Sequence, residues 1–167
     1  MAKITFNGGD DFGVRLEKLS HADSRGMIKR AVKRGAGIVA DAIRAAIVAL
    51  TVAADGYDRH GSQRHTLSSI TKLQKEGLLE SMGIASIQED KNGFVNAKVG
   101  FDGYNKVKTK KYPQGQPNAL IARAINSGTS FRKKTRFVDL AVKKTESAAI
   151  KAMDDSINED IASIFEK

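Results

Sequence analysis

Apolar residues recur along the chain with two different periods. From Met27 they return at Ile28, Ala31/Val32, Ile38/Val39, Ala42/Ile43, Ala46/Ile47 and Leu50. That 3.6-residue spacing predicts a long amphipathic helix capped by Asp23 or Ser24 and running toward residue 54. Gly35 and Gly37 interrupt the stripe. Each costs about 1 kcal/mol relative to alanine inside a helix, so either the backbone is approached closely there or the helix bends. A second long helix is expected from Phe137 to Phe165, with Val138, Ala141/Val142, Thr145, Ala148/Ala149, Ala152/Met153, Ser156/Ile157 and Ile161/Ile164 on its apolar face. Its outer face is expected to be acidic, through Glu146, Asp154, Glu159 and Asp160.

Between these helices the period changes to two. Val95, Ala97, Val99 and Phe101 alternate with Asn96, Lys98 and Gly100, the pattern of a half-buried strand. Asn92-Gly93 is a hairpin turn signal, so residues 83–90 and 94–102 are expected to pair as an antiparallel hairpin. Three shorter helices complete the reading. One starts at Asp10 or Asp11 and carries Phe12, Leu16 and Leu19. Another is capped by Thr66, carries Leu67, Ile70 and Leu73, and is ended by Gly77. A third runs from Ala119 to Asn126 behind Pro117-Asn118. Residues 55–65 read as a surface loop. The expected fold is therefore α+β: long N-terminal and C-terminal helices packed on a small antiparallel sheet built around a hairpin at 83–102. Residues 1–22 form an arm or short helix, and 23–167 form one α+β domain, as the length of 167 residues suggests.

Charge sharpens this picture. The chain carries 28 Lys and Arg against 19 Asp and Glu, a net +9. Residues 103–138 hold nine basic residues and no acid, whereas residues 139–167 hold four basic and seven acidic ones. Lys106, Lys108, Lys110 and Lys111 lie in one loop, and Arg132, Lys133, Lys134 and Arg136 in another. Both are candidate binding elements for phosphates or for an acidic protein surface, and the short helix between them would let both edge one surface. A +9 middle segment and a −3 tail would also suit pairing between neighbouring subunits.

Other chemistry is thin. With no cysteine there is no disulfide, thiolate metal site or cysteine nucleophile. Of the three histidines, His21, His60 and His65, the last two share a loop and read as solvated polar residues, so neither a metal nor a cofactor is expected. The carboxylates at 154, 155, 159 and 160 read as a solvated helix face, and P-loop, Rossmann and nucleophile-elbow motifs are missing. No catalytic residue is assigned, and a metal-dependent nuclease remains a minor alternative. The first residues lack the apolar stretch of a signal peptide, and the apolar run Ile38 to Ala54 holds Asp41 and Arg44 and is too short for a membrane span.

Four blocks in order carry a resemblance: Gly77-Leu78-Leu79-Glu80-Ser81-Met82-Gly83-Ile84, Lys98-Val99-Gly100-Phe101-Asp102-Gly103-Tyr104-Asn105, Gly115-Gln116-Pro117-Asn118, and Ala122-Arg123-Ala124-Ile125-Asn126-Ser127-Gly128-Thr129-Ser130. Together with the helix over 25–54, they resemble a family of tailed-phage tail-component proteins, the tail-completion or head–tail joining neck proteins. The likeness spans roughly residues 25–165. Where that family has Pro-Phe-x-x-Pro-Ala, this chain has Arg136 and Leu140 in place of the two prolines.

The resemblance implies a non-enzymatic virion assembly protein, made in the host cytoplasm and resident in the neck or tail. Its implied partners are further copies of itself in a ring, commonly hexameric, the head connector or adaptor protein, and the tail tube or tail terminator protein. Non-specific contact with DNA in the lumen is implied, and contact with a membrane is not. The alternative from a different class is a basic DNA-binding or DNA-packaging accessory protein.

Overall fold

The computed structural model describes residues 24–52, 70–106, 108, 110–130 and 132–165. The expected arm or short helix at 1–22, the loop at 55–65 and the Thr66 cap lie outside the described residues. In chain order the elements are α1 Ser24–Val48, α2 Lys72–Ser81, β1 Met82–Ile84, β2 Gln88–Glu89, β3 Val95–Asn96, β4 Val99–Phe101, α3 Asn118–Ser127 and α4 Phe137–Phe165. The α+β class and the two long terminal helices are as the periodicity predicts.

Helices α1 and α4 form the principal packing pair. α1 buries Met27, Ala31, Gly35, Ala40, Ile43 and Ile47, close to the predicted stripe. It runs unbroken through both glycines. At Gly35 a Cβ would stand 2.8 Å from Met153 Cγ and 3.2 Å from the Ala149 carbonyl oxygen. The glycine therefore lets α4 approach the α1 backbone, and of the two readings of Gly35 this is the one observed. One layer of core joins Ile43, Ile47, Ile70, Leu78, Met82, Ile121, Ile125 and Phe137. The Phe101 and Phe137 rings meet at 6.4 Å between centroids, which brings the first turn of α4 onto the sheet.

Three helix boundaries differ from expectation. α1 stops at Val48 because Lys75 reaches back, donating from Nζ to the Val48 carbonyl at 2.6 Å and the Leu50 carbonyl at 3.0 Å. A cation there satisfies carbonyls that the helix end leaves open and suits the negative end of its dipole. Thr51 and Val52 instead run extended, and Val52 pairs with Ile70. α2 starts at Lys72, later than Thr66 would set it. Thr71 caps it reciprocally with Gln74: the Gln74 N–H donates to Thr71 Oγ1 and the Thr71 N–H to Gln74 Oε1. Gly77 lies inside this helix instead of ending it.

The hairpin forms in two short ladders. Met82 pairs with Phe101 and Ile84 with Val99, while Gln88 pairs with Asn96 and Glu89 with Val95. Residues 85–87 thus face only 97–98, the one-residue excess of a β-bulge. At the turn, Asp90 Oδ1 accepts from the Asn92 and Phe94 N–H groups, both at 2.9 Å.

The entry into α4 is unusual. Arg136 has φ 54°, the left-handed region. Its N–H donates to the Asn126 carbonyl at 3.0 Å. A proline has φ near −65° and no N–H, so the turn here is one that the proline of the resembled family cannot make. Arg136→Gly is expected to stabilise the fold by about 1 kcal/mol by relieving left-handed strain. Arg136→Pro is expected to cost about 3 kcal/mol or more, because it forbids this φ and removes the donor. Urea unfolding of both variants checks the pair, and equal midpoints for the two would contradict the geometry.

Candidate interaction surface

The basic loop at 103–118 is a finger on a hydrogen-bonded stem. Tyr104 pairs antiparallel with Pro117. The Asn105 N–H donates to the Gln116 carbonyl at 2.7 Å, and the Asn118 N–H to the Gly103 carbonyl at 3.1 Å. Asn105 is 2% exposed, and its Nδ2 donates to the Leu73 carbonyl at 2.9 Å, which ties the stem to α2. Gly115 returns the chain with φ 112°, and a Cβ there would collide with the Asn105 carbonyl oxygen. Beyond this stem Lys106, Lys108, Lys110 and Lys111 are all exposed. Lys111 Nζ lies 5.6 Å from the Tyr112 ring centroid, a cation–π contact that leaves its charge available.

The second basic turn is assembled differently. The Thr129 N–H donates to the Arg132 carbonyl at 2.9 Å, and Gly128, at φ 78°, passes so close to this turn that a Cβ would stand 2.9 Å from the Lys134 nitrogen. Lys133, Lys134 and Arg136 are exposed. Arg132 is not: it is 6% exposed, packed into the turn beneath them. Its place among the surface contacts expected from sequence is corrected accordingly. Its backbone is held by the Thr129–Arg132 bridge, within which this one side chain of the basic run is buried. Sequence reasoning also passed over Asn126. Its Oδ1 accepts from the Val138 N–H at 3.0 Å and its Nδ2 donates to Asp139, so a residue of α3 caps α4. An asparagine near a helix end is the one sequence signal that pointed there.

The two basic elements stand at opposite ends of α3, a helix of 10 residues and so about 15 Å long. That exceeds the screening length of about 8 Å at physiological salt. They act as two separate charged elements, and the finger carries more of the charge, with four exposed cations against three. Arg123 adds an exposed cation on α3 between them.

The acidic tail is engaged within the chain. Arg34 Nη1 lies 2.6 Å from Glu159 Oε2, and Arg30 Nε 3.0 Å from Asp160 Oδ2. The hydrogen bond from Arg34 to Glu159 raises the guanidinium pKa above its ordinary value. Lys151 Nζ lies 2.7 Å from Asp155. All three pairs are partly solvent-exposed and so of modest strength; the two arginine pairs join α4 to α1, while Lys151–Asp155 is an i,i+4 pair within α4, and together they leave less free acid for another subunit. The three histidines lie outside the described residues. Among the described residues, no group of three or more His, Asp or Glu side chains could hold a metal ion, and no helix is long and apolar enough to cross a membrane.

No family model, curated protein or solved structure matches the chain.

Proposed function

We propose that this protein is a non-enzymatic virion assembly subunit of a tailed phage, a tail-completion or head–tail joining protein of the neck. It forms a ring with copies of itself between the head connector or adaptor and the tail tube or tail terminator. The observation that carries this reading is the finger: four exposed lysines without an acid, held on a stem closed by backbone hydrogen bonds. A stem of this kind costs little ordering entropy on contact, which suits a docking element. The blocks that carry the family resemblance support the reading by their placement. They cover β1, β4, both sides of the finger stem, and the α3–α4 joint.

Salt-sensitive self-association is the expected behaviour. Light scattering at high protein concentration should give a larger mass at low salt than at high salt. A monomer under both conditions would count against the ring.

Exposure of Lys106, Lys108, Lys110, Lys111, Lys133, Lys134 and Arg136 also favours a second reading, a basic DNA-binding or packaging accessory protein. Contact of the four finger lysines with phosphates would make log K fall with log salt at a slope of about −4. Absence of duplex binding at low salt sinks that alternative.

A further inference from the structure

A cleft of about 340 Å³ opens where α2, the end of β4 and the finger stem meet. Glu76, Glu80 and Asp102 line it against one cation, Lys106. In a chain of net +9 this cleft therefore carries a formal −2. Asn118, the first residue of α3, also lines it and is 3% exposed. Its Nδ2 donates to the Asp102 carbonyl at 3.0 Å, while its Oδ1 is buried with no hydrogen-bond partner. A buried acceptor left unmet is destabilising. In a cleft that three carboxylates also line, it complements a cation that donates hydrogen bonds. Gly77 lets α2 pack directly on the wall of the cleft, since a Cβ there would collide with the Asn105 amide and stand 3.1 Å from Asn118 Oδ1.

We infer that this cleft receives the ammonium group of a finger lysine from a second copy of the chain. The inference rests on the self-assembly reading above and names the contact that would build it. An ammonium offers three donors and no acceptor, matching a site made of carboxylates and an amide oxygen. The described carboxylates are not grouped as a metal would require. Lys108, Lys110 and Lys111 are exposed and have no acid near them in sequence. The cleft lies at the base of the finger and shares Lys106 with it, whereas Lys108, Lys110 and Lys111 stand outside its lining. Finger-to-cleft contact is then head-to-tail, the kind of interface that closes a ring when repeated. Glu159 and Asp160 of the tail are held by Arg34 and Arg30 at 2.6 and 3.0 Å, closer than the 4.0 Å between Lys72 and Glu76, so the cleft is the less committed acidic counterpart.

Three measurements test this. First, butylammonium is titrated into the 15N-labelled full chain. Saturable shifts are expected at the Gly77 and Gly103 amides and the Asn118 side-chain amide, and they should be lost in Glu76→Gln/Glu80→Gln. No saturable shift in the wild type, or the same shifts in the variant, overturns the inference. Second, light scattering at low salt is expected to show association weakened at least about tenfold in Glu76→Gln/Glu80→Gln, the loss of roughly one charge-assisted contact. Both side chains are on the helix surface, and circular dichroism checks that the fold is kept. Third, Glu76→Lys/Glu80→Lys mixed with Lys108→Glu/Lys110→Glu/Lys111→Glu should associate although neither does alone. Wild-type association that survives Glu76→Gln/Glu80→Gln overturns the cleft contact and leaves the ring reading standing. A wild type that stays monomeric at low salt overturns both.

Discussion

Gly115→Ala is expected to lower the stability of the protein by about 2–4 kcal/mol. At this chain length that is a fall in melting temperature of roughly 5–15 °C. Two effects add. A φ of 112° lies where only glycine is comfortable, and an added Cβ would run into the Asn105 carbonyl oxygen. Relief requires moving Asn105, and Asn105 holds both sides of the stem: its N–H bonds Gln116, and its side chain bonds the Leu73 carbonyl from a buried position. The strain is therefore transmitted to the contact between finger and α2. Gln114→Ala, one residue away and exposed, is the control and should change stability by less than about 0.5 kcal/mol. Scanning calorimetry of the two variants makes the comparison. If Gly115→Ala melts with the control, the stem is not the rigid base described above.

The largest functional effect is expected from Lys110→Glu/Lys111→Glu. The finger carries four lysines, so reversing two takes its charge from +4 to zero. Both side chains are exposed, and the contact described for them is that of Lys111 with the Tyr112 ring, so stability should move by less than about 1 kcal/mol. Association should weaken by about a hundredfold, roughly a tenfold loss for each reversed charge at a charged interface. Phage carrying the variant should accumulate unjoined heads and tails. Normal joining of heads to tails in such a phage would make the finger incidental and remove the main support for the neck reading.

The helices were legible to different degrees, and the differences have physical causes. The buried stripe of α1 recurs every three to five residues, because one helix face packs against a neighbour whatever that neighbour is. The boundary at Val48 was not legible, because the side chain that caps it, Lys75, is 27 residues away in sequence. For the same reason the start of α2 was misplaced. Ile70 fits a helical stripe, but its N–H is drawn to the Thr51 carbonyl at 2.9 Å, a partner outside its own segment. In the hairpin, the Asn-Gly turn and the alternation of Val95 to Phe101 located the pairing, while the bulge opposite 97–98 left no mark in composition.

The candidate surface divides along the same line. By itself the sequence determined that the charge is concentrated, that it is free of acids between 103 and 138, and that glycines punctuate the loops bearing it. It determined the α+β class and the two long helices, since those follow from local periodicity. Only the tertiary structure decided which charges face outward. Arg132 and Lys133 are neighbours of the same kind, yet one is buried and the other exposed, a difference that composition cannot express. Only the tertiary structure engaged the tail carboxylates with α1, left Asn118 Oδ1 without a partner, and brought Glu76, Glu80 and Asp102 to the cleft that Asn118 also lines. Periodicity reports what one element offers to any neighbour. The pairing of a particular donor with a particular acceptor depends on which neighbour arrives, and that is settled by packing across the whole chain.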